Sequence, residues 1–88
     1  MPKQKLYEDE LTEALSVIFR ERRMLLLLSQ AAIAYKTGMS RPYIGDLERT
    51  GRNISLLNLS RMAEALHSTP SKLMVEAERL VKEKRRRR

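Results

Sequence analysis

Two serines and a glycine in the middle of the chain are helix-start and helix-stop signals, and they favour a pair of short helices there. Ser29 and Ser40 suit the start of a helix, because a serine hydroxyl accepts a hydrogen bond from a free backbone amide of the first turn. Gly38 lies between them and is a natural helix stop. The sequence therefore predicts helix 2 over about 30–37, a tight turn, and helix 3 over about 41–48, which is a helix-turn-helix unit.

The remaining segments also read as helices. Apolar residues recur at helical spacing from Leu6 to about Leu26, which predicts helix 1. Ser55 suits the start of helix 4, and Pro70 opens helix 5, which we expect over about 70–81. No segment alternates apolar and polar residues with period two, so the predicted fold class is all-α with five helices.

These helices define one domain with a polar segment at each end. The 88 residues allow one domain at most, and we assign it to residues 6–81. Residues 1–5 are polar and are predicted to be a flexible arm. Residues 82–88 form a basic tail, which is expected to be disordered when free because its charges repel one another.

Composition excludes several functional classes. The chain has no cysteine and one histidine, so it offers no disulfide framework and no cysteine or zinc chemistry, and we predict no metal and no cofactor. No catalytic arrangement of Ser, His and Asp or of paired carboxylates converges, so we predict no enzyme, and the fold accounts for Asp46 and Glu48. The longest apolar run, 24–28, is too short to span a membrane and is interpreted as core at the helix 1–2 junction. We expect a cytoplasmic protein, with His67 as a helix-end residue.

The net charge of +7 is divided between two regions. Residues 20–61 carry eight basic and three acidic residues, a surplus of +5, and residues 82–88 carry six basic residues and one acidic residue, again +5. The first surplus coincides with the helix-turn-helix unit and indicates an acidic partner such as nucleic acid. The second either binds phosphate without sequence preference or only solubilises the chain, and both interpretations stay open.

The stretch from Ser29 to Leu66 reads SQAAIAYKTGMSRPYIGDLERTGRNISLLNLSRMAEAL. It resembles the Cro/C1-type (XRE) helix-turn-helix family over about residues 11–74. The matching positions are Ser29, Gln30, Ile33, Ala34, Gly38, Met39, Ser40, Ile44, Leu47, Glu48 and Arg49. The resemblance implies a five-helix lambda-repressor-like DNA-binding domain in which Arg23 pairs with Glu48.

Four positions depart from that family's pattern. Leu27 and His67 stand where glycines are usual, and Arg22 and Ser68 stand where apolar residues are usual. Leu27 and Arg22 predict that helix 1 is shifted by a residue or that its exit differs, and His67 and Ser68 leave the boundary at the end of helix 4 open. Within the family, Arg52-Asn53-Ile54-Ser55 and the short length look most like restriction–modification controller proteins.

The resemblance also implies which residues contact DNA. In such modules the second helix of the unit enters the major groove and the first crosses the backbone. Arg41 has a physical reason to read bases, since its guanidinium can donate two hydrogen bonds to guanine. Phosphate suits Gln30 at a helix N-terminus and the basic loop after helix 3. The predicted DNA-binding residues are Gln30, Ser40, Arg41, Pro42, Tyr43, Arg49, Arg52 and Asn53.

An apolar stripe on helix 5 completes the prediction. It comprises Leu73, Met74, Ala77, Leu80 and Val81, and the resemblance implies a dimer interface there. The chain is thus predicted to be a homodimeric, sequence-specific transcriptional regulator of double-stranded DNA on a pseudo-palindromic operator, with no evident small-molecule effector and no membrane partner. The alternatives are a phage-type repressor, an antitoxin or adaptor that binds a protein through helix 5, and a nonspecific nucleic-acid binder that uses Arg85–Arg88.

Overall fold

The computed structural model describes residues 3–87, with side chains described from Tyr7 onward, and within that range it contains five helices and no strand. The helices are α1 (Lys3–Leu25), α2 (Gln30–Thr37), α3 (Arg41–Arg49), α4 (Leu56–Ala65) and α5 (Pro70–Arg86). The predicted all-α class is confirmed.

Side-chain caps begin four of these helices, and three of the caps are the predicted serines. The hydroxyls of Ser29, Ser40 and Ser55 each accept a hydrogen bond from the backbone N–H three residues later, at 3.0, 3.2 and 3.0 Å. Thr69 caps α5 in the same way at 3.2 Å. Gly38 ends α2 in the left-handed conformation, with φ at 73°, and donates its N–H to Ala34. Local capping therefore sets the turn between α2 and α3.

One apolar core joins all five helices. α1 packs along α5 and α3, and α2 packs on α3 and α4. Every helix contributes to the largest fully buried side chains, which are Phe19, Ile33, Ile44, Leu47, Met62, Leu66 and Leu73. With a single phenylalanine and no tryptophan, aliphatic side chains fill most of this core.

The stripe on α5 belongs to this core. Leu73, Ala77 and Val81 are almost fully buried within the chain itself, while Met74 and Leu80 are half-buried. The prediction that the whole stripe lines a dimer interface is therefore wrong for Leu73, Ala77 and Val81. An apolar helix face looks the same in a sequence whether it covers its own domain or a second copy.

Both ends of the helical domain extend further than predicted. α1 begins at Lys3, so the predicted arm over 1–5 is wrong for residues 3–5, and residues 1–2 lie outside the described residues. Polar residues that form helices well leave no apolar periodicity to mark such a start. α5 runs to Arg86, so the predicted disorder of 82–88 is wrong through that residue, and residue 88 lies outside the described residues.

Acidic residues of α1 offset the repulsion within the basic end of α5. The Arg85 guanidinium donates to both carboxylate oxygens of Glu10, at 3.2 and 2.5 Å, and Lys84 Nζ donates to Glu13 at 3.4 Å. Arg85 also lies over the Tyr7 ring. Partial desolvation is the main cause that raises the pKa of the Tyr7 hydroxyl, and the nearby Glu78 carboxylate raises it further. The end of α5 is thus an ordered element that packs against α1.

The apolar run 24–28 is mostly surface, which corrects its interpretation as core. Met24, Leu25 and Leu27 are exposed, and only Leu26 and Leu28 pack against the core. α1 ends at Leu25, and Leu27 takes a left-handed conformation with φ at 58°. In the described part of the chain, no helix is both long and apolar enough to cross a membrane.

Candidate nucleic-acid interface

The helix-turn-helix unit presents one face of α3 at the surface. Ile44 and Leu47 are buried beneath α3, which anchors one side of this short helix in the core. Arg41, Pro42 and Asp46 are exposed on the other side. The Ser40 hydroxyl accepts a hydrogen bond from the Tyr43 N–H and so caps α3. Ser40 therefore stabilises the start of the helix that carries this face, and it also lies beside the face.

A shallow groove runs along the outer face of α3 beside the N-terminus of α2. Its lining residues are Gln30, Arg41, Pro42, Gly45, Asp46 and Arg49. It brings together four of the predicted DNA-binding residues, Gln30, Arg41, Pro42 and Arg49. Gly45 and Asp46 were not predicted to belong to it. A Cβ on Gly45 would lie 3.9 Å from Gln30 Oε1, an ordinary van der Waals contact, so Gly45 lies close to Gln30 across the groove between α2 and α3.

Glu48 holds the groove in shape from beneath. Its carboxylate is almost fully buried and accepts hydrogen bonds from Arg23 Nε and Nη2, at 2.6 and 3.0 Å. Gln30 Nε2 donates to the same carboxylate at 3.2 Å, and Arg20 Nη1 donates to the Glu48 carbonyl at 3.4 Å. The implied Arg23–Glu48 pair is confirmed, and it ties α1, α2 and α3 together.

Arg22, which stands at a usually apolar position, also has a defined structural role. Its Nη2 donates to the carbonyls of Leu66 and His67 at the end of α4, at 3.1 and 3.4 Å. Its Nη1 pairs with Glu76 of α5 at 3.3 Å. This departure from the family pattern therefore adds a polar tie between α1, α4 and α5.

Tyr43 is fixed at the opposite edge of α3. Its ring is half-buried, and its hydroxyl accepts a hydrogen bond from Asn58 Nδ2 at 3.1 Å. The hydroxyl hydrogen stays available as a donor, which suits a phosphate oxygen or a base acceptor. Asn58 was not predicted as part of the site. Its only sequence signal is its position three residues after the Ser55 cap, which puts it in the first turn of α4.

The loop after α3 extends the basic surface towards α1. Arg49 and Arg52 line a second cleft beside Asp9, Thr12 and Glu13 of α1. The Arg52 guanidinium is exposed and lies 3.9 Å from Asp9. Arg49 lines both the groove and this cleft. Arg41, Arg49 and Arg52 therefore form one continuous surface, which we call the basic band. The acidic side of the cleft was not predicted, since α1 is far from the loop in sequence.

Asn53 shapes this loop as well as facing solvent. Its φ is 58°, a left-handed conformation that asparagine tolerates better than most residues. Gly51 is buried with φ at 65°, and a Cβ there would overlap the Thr12 carbonyl oxygen. The loop therefore sits directly against α1, which holds Arg52 and Asn53 at the edge of the basic band.

A model of the helix-turn-helix family matches residues 19–73, which include the groove and its supports. The chain belongs to the helix-turn-helix family of DNA-binding transcription regulators, and its resemblance to the Cro/C1 (XRE) type is confirmed. The relatives described next are regulators rather than enzymes.

Within this family the chain is similar to restriction–modification controller proteins. It is 35% identical over 74 residues to the control protein C.SmaI of Serratia marcescens, covering 84% of this chain and 88% of that protein. It shares 37% identity and a TM-score of 0.67 with the controller protein C.AhdI from Aeromonas hydrophila, over 70% of this chain and 94% of that one. The clp gene regulator ClgR from Corynebacterium glutamicum has the same fold, with a TM-score of 0.81 at 23% identity over 88% and 82% of the two chains.

Proposed function

We propose that the chain acts as a homodimer on a pseudo-palindromic DNA operator and controls genes of a restriction–modification system in the cytoplasm. The family supplies DNA binding, and the similarity to controller proteins supplies the class of regulated genes. α3 is the recognition helix of each protomer, and the two copies of α3 in the dimer would occupy major grooves about 34–36 Å apart, one helical turn of DNA. Regulation then follows from occupying a promoter.

The observation that carries this proposal is the groove beside α3. Arg41 is exposed at its end, in the first turn of the recognition helix, where side chains of such helices reach base edges. Its planar guanidinium can donate two hydrogen bonds, to guanine O6 and N7 in the major groove. Gln30, Arg49 and Arg52 lie around it, where amide and guanidinium groups hold phosphates and set the register.

Binding-site selection from random duplex DNA, followed by gel shift, tests the proposal. Arg41→Ala should weaken binding to the selected site by about 10-fold or more and relax preference at one position of each half-site. Arg79→Ala is the matched control, because Arg79 is an exposed arginine of α5 outside the basic band. Equal affinity and equal preference for the wild type and Arg41→Ala would refute base reading by Arg41.

The first turn of α4 is the surface that we propose for the dimer contact. Leu56 and Leu57 are exposed there, shortly after the basic loop. Two recognition helices must face the same side of DNA, so a twofold contact has to flank the DNA face. Exposed leucines at its edge meet this condition, and the half-buried Met74 and Leu80 are the members of the α5 stripe that stay partly accessible.

Both non-regulatory alternatives lose part of their support. An adaptor that binds through α5 needs a free apolar stripe, but Leu73, Ala77 and Val81 are covered by the chain's own core. A nonspecific binder driven by the tail needs free basic side chains. Lys84 and Arg85 pair with α1 carboxylates, while Lys82, Arg86 and Arg87 stay exposed. The groove accordingly favours the DNA-binding regulator.

A further inference from the structure

An exposed carboxylate lies in the groove beside α3, on the side that the proposed function turns towards DNA. Asp46 lines the same groove as Arg41, Gly45 and Arg49, and its side chain is 57% exposed. A polyanion that carries one charge per about 1.7 Å would approach this face. A fixed negative charge at that place weakens phosphate binding. Some other interaction of Asp46 should offset this loss.

Packing does not supply that interaction. Among the described residues, the Asp46 carboxylate forms one ion pair, with Arg49 three residues later on the same helix. Both partners are largely exposed, and exposed pairs at this spacing add little to stability. Thr50 is tied to the backbone carbonyl of Asp46, which any residue at this position provides. The carboxylate is therefore dispensable for the fold.

A carboxylate in the major groove selects a particular base chemistry. It only accepts hydrogen bonds, and the major groove offers donors at the exocyclic amino groups of cytosine and adenine, with cytosine N4 as the usual aspartate partner. Guanine and thymine present acceptor oxygens, which repel it. Arg49 keeps the carboxylate partly neutralised beside the groove, which lowers the cost of bringing it to DNA.

We propose that Asp46 is a specificity-determining residue that accepts a hydrogen bond from the exocyclic amino group of a base, cytosine above all. The inference rests on the proposed function and extends it, because it adds an acidic reader to the basic Arg41. Arg41 selects a base with acceptors, and Asp46 selects a base with a donor. Together they read two chemically opposite positions in each half-site.

Binding-site selection with the full chain tests this reader. The wild type should prefer an amino-bearing base over guanine or thymine by about 10-fold at one position of each half-site. Asp46→Ala should lose that preference to within about twofold and keep the preference that Arg41 sets at its own position. Glu83→Ala is the matched control, because it removes an exposed acidic charge on α5 and should leave the selected site unchanged.

The outcomes separate this proposal from the proposed function. A wild type that selects no sequence refutes sequence-specific regulation itself. A wild type that selects a site, with the same base preferences in Asp46→Ala, overturns the role of Asp46, even if that variant binds all DNA more tightly. Circular dichroism of Asp46→Ala and of Asp46→Asn should show unchanged helix content, which confirms that the altered selection arises in the site.

Discussion

At the scale of single residues, two glycines with similar backbones have different neighbours. Gly38 ends α2 with φ at 73°, and a Cβ there would meet nothing within 4 Å. Gly51 follows α3 with φ at 65°, and a Cβ there would overlap the Thr12 carbonyl oxygen and lie 3.2 Å from Ser16 N. Backbone strain is therefore common to both positions, while steric overlap affects Gly51 alone.

Alanine at each glycine should separate these two costs. Gly38→Ala should lower the free energy of unfolding by about 1 kcal/mol, which is the strain of a left-handed alanine. Gly51→Ala should lower it by about 3 kcal/mol, because the loop must also move away from α1. Urea unfolding followed by circular dichroism measures both. Equal losses in the two variants would contradict the close approach of the loop to α1.

The acidic residues near the site also differ at this scale. From the sequence, Asp46 and Glu48 are both interpreted as acids for which the fold accounts. Glu48 fits that interpretation, because it is buried and bound to Arg23 and Gln30. Asp46 is exposed in the groove, two residues away on the same short helix. Helix geometry turns neighbouring side chains to different faces, so similar residues acquire different surroundings.

At the scale of helices, α1 and α4 end in the same way. Each is followed by a non-glycine residue in the left-handed conformation, Leu27 with φ at 58° and His67 with φ at 56°. The next residue of each turn donates its N–H back into the helix, from Leu28 to Arg23 at 3.1 Å and from Ser68 to Ala63 at 2.8 Å. This is the Schellman arrangement, which glycine usually closes. The two departures from the family pattern therefore keep the usual helix exits.

Glycine at these exits should stabilise the protein. Leu27→Gly and His67→Gly should each raise the free energy of unfolding by about 0.5–1 kcal/mol, because relief of left-handed strain exceeds the added entropy of the unfolded chain. Both side chains are exposed, so little packing is lost. Tyr35→Gly, an exposed position within α2, should destabilise instead. Thermal unfolding compares the three, and destabilisation by Leu27→Gly would contradict the strain.

At the scale of the whole molecule, the charge surplus divides differently from its division along the sequence. The basic end of α5 is partly neutralised by Glu10 and Glu13 of α1. The basic band of Arg41, Arg49 and Arg52 lies across α3 and the following loop. Arg49 and Arg52 of the band also lie beside carboxylates, those of Asp46 and Asp9. The band differs in its place on the helix-turn-helix unit, so sequence-specific attraction to nucleic acid should come from it. A net charge of +7 alone does not separate these two regions.

The proposed dimer can be tested at the same scale. Leu56→Ser with Leu57→Ser should convert the protein from a dimer to a monomer in size-exclusion chromatography with light scattering, because exposed apolar area drives association. Leu25→Ser with Leu27→Ser is the matched control, since it also replaces two exposed leucines, at the end of α1. A dimer that survives the α4 substitutions but is lost on Leu80→Ser would move the contact back to α5.

The sequence by itself determined the features that depend on neighbours along the chain. Serine caps and a glycine stop placed α2 and α3 correctly, because capping and left-handed turns are decided within a few residues. The many matching positions at fixed spacing also identified the family, and the resemblance then predicted the Arg23–Glu48 pair. These signals are short-ranged or repeated at fixed spacing, so a linear reading finds them.

Only the tertiary structure decided which surfaces are free. It placed Leu73, Ala77 and Val81 in the core and left Leu25, Leu56 and Leu57 outside. It also set Asp9 beside Arg52 and Asn58 beside Tyr43, contacts between separate helices and loops. The physical reason is that burial and pairing depend on how helices pack against one another, while apolar periodicity gives only the existence of a face.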